Sequence, residues 1–298
     1  MKIISGSSNP QLAENIAKKL NVPLINREIT QFSNGEKRVW IKDKLHGNNV
    51  CLVQSITDPT DKTLMETLLI ADALERMGVN DLILVLPWMG YSLQDKIFRN
   101  GEPISAKVVA DLISNSYVKR VMLMDLHNNS IQAFFSTPTN YLSAMPLFEK
   151  YVKEKYDLDT AVVASPDFGG LKRARKFAKA LDLDLVNIDK TRDIKTGKVN
   201  AIDLHGDVSQ KTVFLFDDVI LSGGTVVEGS ALVKEKGAKK VIFLSTHGLF
   251  TNQAKQKIAD SETDLTVVTN SIDNPDLSDK FKVLDVSGIF SQALERWL

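Results

Sequence analysis

The stretch Val213-Phe214-Leu215-Phe216-Asp217-Asp218-Val219-Ile220-Leu221-Ser222-Gly223-Gly224-Thr225 decides how the rest of the chain is read. An apolar strand ends in paired carboxylates, and a short loop with two glycines then enters an apolar helix over 225–236. The unbroken apolar run suits a parallel strand covered on both faces. Gly223 and Gly224 let backbone amides approach an anion closely, and the helix start adds a favourable dipole. Ser222 and Thr225 can donate hydroxyl hydrogen bonds to a phosphate, and Asp217 and Asp218 can hold sugar hydroxyls directly or through a hydrated metal ion. Gly-Gly-Thr alone would serve equally as a plain turn and helix cap. The acidic pair upstream points instead to a ligand.

Outward from this stretch the same alternation repeats. Apolar runs of strand length fall at 2–5, 49–54, 81–86, 120–124, 160–164, 183–188, 212–216, 240–245 and 265–269. Between them lie segments of helical period at 10–20, 62–77, 103–114, 146–155, 170–181, 225–236 and 253–260. Pro10 and Pro103 stand at first-turn positions. Strand alternating with helix argues for an α/β fold built from βαβ units with mostly parallel sheets flanked by helices. The chain also resembles itself: 49–86 and 211–245 share the order strand, loop, helix, glycine, strand. The glycine loop is found in the second copy only, where the first has Asp58-Pro59-Thr60-Asp61. One unit used twice with one half altered fits a two-substrate site between domains. The expected domains are 1–144 and 145–298, with a last helix at 287–298 that could pack on either.

Composition narrows the function classes. The 298 residues carry 37 Lys plus Arg against 37 Asp plus Glu, a formal net charge of zero. Without a basic surplus, no nucleic-acid or membrane partner is expected. The single cysteine, Cys51, excludes an intramolecular disulfide and sits in the apolar run 50–53 as a buried small hydrophobe. The first residues are too short an apolar run for a signal peptide, so a cytoplasmic protein is expected.

The motif around Asp217 resembles the ribose 5-phosphate loop of phosphoribosyltransferases and ribose-phosphate pyrophosphokinases, and the rest of the chain chooses the latter. Phe32-Ser33-Asn34-Gly35-Glu36 is similar to that family's loop to the ATP base. Gly90-Tyr91-Ser92-Leu93-Gln94-Asp95-Lys96 is similar to its second ATP segment, followed by Arg99 and Gly101-Glu102-Pro103. Asp125-Leu126-His127 closes a strand as in the metal–ATP site, and Ser165-Pro166-Asp167-Phe168-Gly169-Gly170 precedes the basic run Lys172-Arg173-Ala174-Arg175. Lys190-Thr191-Arg192 opens a charged stretch, and Ser245-Thr246-His247-Gly248 completes the series. The resemblance covers nearly the whole chain, in order.

It implies two tandem phosphoribosyltransferase-like domains, the first facing ATP and the second binding ribose 5-phosphate. The implied activity is a transferase of nucleotide biosynthesis that moves the β,γ-diphosphoryl group of ATP to the anomeric hydroxyl, with Mg²⁺. Phe32, Asn34, Gly35, Glu36, Leu93, Gln94, Asp95, Lys96, Arg99 and His127 would contact ATP. Arg192, Asp217, Asp218, Leu221, Ser222, Gly223, Gly224 and Thr225 would contact ribose 5-phosphate. His127 and Asp167 are the metal candidates, though each sits where a loop histidine or a helix-start carboxylate is ordinary. By itself 190–198 is a solvated polar loop. In the family context Lys190 stabilises the moving phosphoryl oxygens, Arg192 grips phosphate bidentately, and the loop closes as a lid. The resemblance also implies a homo-oligomer whose 32–36 loop reaches a neighbour's ATP site.

Three positions depart from the family pattern. Leu93 stands for an arginine, Leu221 for Asp or a small polar residue, and Asn34 for Asp. These leave open a non-catalytic regulatory homologue that binds nucleotides. A phosphoribosyltransferase is the third alternative, although it would not need the first half of the chain.

Overall fold

The computed structural model describes residues 1–167, 169–192 and 199–298, with backbone only at 189–192 and 199–203. The chain divides into two compact units. The first takes residues 1–143, 270–273 and 285–298, and the second takes 144–269 and 274–284.

In the first unit β1 (Lys2–Ser5) leads to α1 (Pro10–Leu20). Asn9 Oδ1 accepts from Leu12 N at 3.2 Å, capping α1 just before a proline that needs no donor partner. A hairpin follows, β2 (Arg27–Gln31) and β3 (Lys37–Ile41). Then come β4 (Val50–Val53), α2 (Thr60–Arg76), β5 (Leu82–Leu86), α3 (Ser105–Ser114), β6 (Arg120–Met124) and β7 (Thr139–Leu142). The main sheet runs β1-β4-β5-β6-β7, every pairing parallel. Residues 50–53 and 82–86 are buried without exception, as strands covered on both faces must be. Ile4, Leu52, Leu84 and Val121 centre one core, and Ile29 and Val39 of the hairpin pack against it. Cutting Leu52 to alanine would cost about 2–5 kcal/mol.

In the second unit α4 (Met145–Lys155) precedes β8 (Ala161–Ser165), α5 (Leu171–Leu181), β9 (Leu185–Arg192), β10 (Val199–His205) and β11 (Thr212–Ile220). The series ends with α6 (Gly224–Glu235), β12 (Lys240–Gly248), α7 (Ala254–Ala259), β13 (Leu265–Thr269) and β14 (Phe281–Leu284). The sheet order is β10-β9-β8-β11-β12-β13-β14, parallel except for β10 against β9. Phe216 of β11 stacks on Phe177 of α5 at 4.4 Å and meets Phe148 of α4 edge-on at 5.8 Å, pinning both helices to one face. The final helix, α8 (Ser287–Leu294), lies in the first unit against α1.

The architecture is α/β with two parallel-sheet units, as the alternation implies. The structure corrects the sequence expectations at several elements. Residues 27–41 form a hairpin, because Ile29, Val39 and Ile41 share one face that packs on the core while Glu28, Thr30, Arg38 and Trp40 take the other. Lys190 and Arg192 do not open a loop. They continue β9, paired antiparallel with β10 through Lys190 opposite Ile202 and Arg192 opposite Val199. Residues 193–198 of the proposed lid, and Phe168, lie outside the described residues. β11 does not end at the carboxylates but continues to Ile220, because β12 runs beside it to Gly248.

Candidate active site

The second unit gathers its chemistry where β8 and β11 give way to helices, the edge at which parallel sheets present ligand sites. Asp217 and Asp218 lie within β11, 8% and 3% exposed. The Asp217 carboxylate accepts from Asp218 N at 2.9 Å. One guanidinium nitrogen, Arg173 Nη2 on α5, reaches Asp217 Oδ1 at 3.1 Å and Asp218 Oδ1 at 2.6 Å. Burial pushes the Asp217 carboxyl up to about 7, and the neighbouring Asp218 charge adds to the push while Arg173 opposes it. Burial works against the Arg173 charge as well. The two carboxylates outweigh it and hold the guanidinium above its ordinary value.

Past Ile220 the chain turns through Leu221, Ser222 and Gly223 into α6. Gly223 has φ +80°, and a Cβ there would meet Ile258 and Ala254 of α7 at 3.2–3.3 Å. Only glycine fits both the backbone and the packing. No side chain caps α6, so its first amides remain for a ligand. Ser222 is exposed and Thr225 half-buried at this helix start. Leu221 is 38% exposed and contributes its carbonyl to Thr251 N at 2.9 Å. Asp167 follows β8, its Oδ1 accepting from Gly170 N at 2.9 Å, and Ser165 Oγ donates to the Asp167 carbonyl at 2.6 Å. The side chains of Lys190 and Arg192 are not described, so the structure does not place them in this group.

In the first unit the ATP candidates fall into three groups. Phe32, Asn34, Gly35 and Glu36 form the exposed tip between β2 and β3, Phe32 being 52% exposed. The tip is closed by Phe32 N to Glu36 O at 2.8 Å and Glu36 N to Asn34 Oδ1 at 3.2 Å, with Gly35 at φ +93°. Below it Lys37 Nζ reaches the fully buried Glu66 carboxylate of α2 at 2.6 Å.

The second group is the irregular segment between β5 and α3. Leu93, Gln94 and Asp95 are half-buried there, and Lys96 and Arg99 are exposed. Ser105 Oγ donates to Gln94 Oε1, and the Tyr91 hydroxyl donates to Asp61. Glu102 accepts from the amides of Phe98 at 3.0 Å and Arg99 at 2.9 Å, folding the segment back on itself. The third group follows β6, where Asp125 takes φ +36°, a strained value for a residue with a Cβ. It turns the chain so that His127 is exposed. In the second unit's group, Arg173 is the residue that sequence reasoning left unassigned. Arg173 was legible only as one of a basic run, beside the buried α5 positions Ala174 and Phe177.

Among the described residues no group of three or more His, Cys, Asp or Glu could hold a metal ion by itself. Asp167 offers a hard carboxylate oxygen of the kind Mg²⁺ takes, an ion that binds through one or two carboxylates, keeps several waters and completes its shell with substrate phosphates.

Residues 1–116 match the model of the N-terminal domain of ribose phosphate pyrophosphokinase, and residues 193–298 match the phosphoribosyl synthetase-associated domain. A ribose-phosphate pyrophosphokinase from Fusobacterium nucleatum is 39% identical over 99% of this chain and 94% of its own. The chain belongs to the ribose-phosphate pyrophosphokinase family. The enzyme of the same name from Wolinella succinogenes is 40% identical over 99% of this chain and 95% of its own. The crystal structure of phosphoribosylpyrophosphate synthetase from Mycobacterium smegmatis superposes with a TM-score of 0.91 at 34% identity, covering 99% of this chain and 98% of that one. Family kinship thus spans both units, including the hairpin tip and the α6 loop. Among the described residues no helix is long and apolar enough to cross a membrane.

Proposed function

We propose that this chain is a ribose-phosphate diphosphokinase that makes 5-phosphoribosyl 1-diphosphate from ATP and ribose 5-phosphate. The observation that carries the reading is the kinship with pyrophosphokinases over 99% of the chain. The buried acid pair leading into an uncapped α6 suits it as a sugar-phosphate cradle.

The 5-phosphate sits on the amides of Gly223, Gly224 and Thr225, with the Ser222 and Thr225 hydroxyls donating to its oxygens. Asp217 and Asp218 accept hydrogen bonds from the ribose hydroxyls, and Arg173 keeps the two carboxylates aimed together. Leu221 contributes through its backbone alone. ATP is held by Gln94, Asp95 and His127, and its base by the tip from Phe32 through Asn34 and Gly35 to Glu36. Lys96 and Arg99 supply the cation that Leu93 does not. The anomeric oxygen attacks the β-phosphorus in line, the bond from that phosphorus to the α-phosphate oxygen breaks, and AMP leaves. Lys190 stabilises charge on the transferring oxygens, and Arg192 orients phosphate. Asp167 and His127 are the metal candidates, each within its own unit, and Mg²⁺ would supply charge neutralisation at the diphosphoryl oxygens when bound. The exposed tip residue Phe32 favours a homo-oligomer in which that loop completes a neighbour's nucleotide site. A cytoplasmic location fits this chemistry.

The test is AMP release from ATP with Mg²⁺, with and without ribose 5-phosphate, beside Lys190→Ala. Sugar-dependent AMP that collapses in the variant is expected. Folded protein that forms no nucleoside monophosphate from any triphosphate would sink the reading.

A further inference from the structure

Two loops leave the carboxyl ends of the neighbouring strands β5 and β6, and one side chain ties them together. Asn128 Nδ2 donates to Asp95 Oδ2 at 2.7 Å. The other end of the same amide accepts from Ser130 N at 3.0 Å, capping the 3-10 turn Asn129–Phe134. Asp95 belongs to a strap without regular structure. The strap is fixed on its other side by α3, where Ser105 Oγ donates to Gln94 Oε1 and Ala106 N donates to the Gln94 carbonyl at 3.1 Å. Asn128 directly follows His127, which the left-handed turn at Asp125 brings to the surface. One amide therefore sets the Asp95 carboxylate, the start of the 3-10 turn and the distance between the strap and the His127 loop.

We propose that Asn128 is a positioning residue for nucleotide binding, holding the Gln94-Asp95 strap and the His127 loop at a fixed spacing before ATP arrives. The proposal rests on the reading that these two loops bind ATP. The physical basis is preorganisation: a hydrogen bond to a carboxylate is stronger than a neutral one, and holding the loops beforehand removes an ordering cost from binding. In this role Asn128 acts through Asp95 and the turn it caps.

Asn128→Ser is the diagnostic variant, since serine still caps the turn but is too short to reach Asp95. Its KM for ATP rises about five- to tenfold, the scale of one lost charged hydrogen bond at a partly exposed site. Its kcat and its KM for ribose 5-phosphate stay within about twofold, which a general structural defect would not allow. Asn128→Asp sets two carboxylates face to face and is worse. Adding Asp95→Asn to it restores the bond with donor and acceptor exchanged, so the double variant is less impaired than the product of the singles. Calorimetric binding of Mg·ATP to the same set reads the effect without turnover. Wild-type protein that binds ATP but forms no sugar-dependent AMP would overturn the proposed activity and leave the binding comparison decisive for Asn128. An unchanged KM and binding constant for ATP in Asn128→Ser, a parallel rise for both substrates, or a double variant equal to the product of the singles would each overturn the positioning role. Wild-type protein that neither binds nor turns over ATP would overturn both.

Discussion

Gly223 and Gly224 are adjacent, yet the structure assigns them opposite reasons for being glycine. Gly223 has φ +80°, and an added Cβ would meet Ile258 Cγ1 at 3.2 Å and Ala254 Cβ at 3.3 Å. Gly223→Ala then costs about 1–2 kcal/mol for the left-handed backbone, with a further increment as α7 shifts by a few tenths of an ångström. For a domain of this size that lowers Tm by ~3–6 °C. Gly224 begins α6 without a positive φ, and a Cβ there would find nothing nearer than Ser222 Oγ at 3.9 Å. Gly224→Ala should therefore leave Tm unchanged or raise stability by about 0.4–1 kcal/mol through the unfolded chain. Its methyl group would nonetheless stand where a phosphate must approach the helix-start amides. Losing one such charged contact, roughly 1.5–3 kcal/mol, raises the KM for ribose 5-phosphate about tenfold to a hundredfold. Scanning calorimetry and initial-rate kinetics on both variants separate the two effects. A Gly224→Ala protein with normal KM for ribose 5-phosphate would refute the placement of the phosphate on α6. A Gly223→Ala protein with normal Tm would refute the strain argument.

Other positions give sharp expectations. Lys37→Met strips a 2.6 Å charge partner from the fully buried Glu66, which keeps Ser7 and Gln54 as donors, so denaturant titration should show a loss of about 1–3 kcal/mol. Asp217 has its folded carboxyl raised to about 7, so the folded state holds that proton more tightly than the unfolded chain does. Its contribution to stability is complete below the ordinary carboxylate range and is lost as pH rises towards 7. Asp217→Asn should accordingly be more stable than wild type at pH 8, by on the order of 1–2 kcal/mol, and the difference should vanish near pH 4; chemical denaturation across that range checks it. Leu93→Arg, at a half-buried position in the strap, should lower the KM for ATP about tenfold without changing that for ribose 5-phosphate, read from initial rates.

The parts of the fold legible beforehand are those where a single period dominates. Val50-Cys51-Leu52-Val53 has no polar residue to dilute the strand signal, and Pro10 announces α1 with a fixed φ. The hairpin at 27–41 was illegible because Ile29, Val39 and Ile41 are outnumbered by charged and polar neighbours on its open face. Arg192 and Lys190 looked like loop residues because strand β9 owes its extension to β10, a partner invisible to local composition. The acid pair was legible by its chemistry. Its neutralisation by Arg173 was not, because α5 is basic on several sides and only the packing of Ala174, Phe177 and Ala178 turns that one guanidinium inward. Asn128 gave no local signal, since the carboxylate it bonds lies thirty-three residues away.

The repeated unit shows how one architecture supports two roles. At the end of β4 in the first copy, Gln54 bonds Ser8 and Glu66, and Glu66 also takes Ser7 and Lys37, so one buried anion meets one cation. The cluster is neutral and satisfied by the protein itself, which makes it a rivet between α2 and the hairpin. At the matching strand in the second copy, Asp217 and Asp218 share the single guanidinium of Arg173, with Asp167 close enough to act on that charge. These carboxylates gather around that guanidinium at the mouth of an uncapped helix. Burying Asp217 beside Asp218 is costly, as its raised carboxyl records. In the proposed site ribose 5-phosphate would offset that cost with hydroxyl donors for the acids, and its phosphate would meet the helix start. On the proposed reading, the first copy uses its polar groups to hold the hairpin that carries the nucleotide tip and the second keeps its acids for the sugar, so the duplicated fold separates the two substrates by what its buried polar groups are tied to.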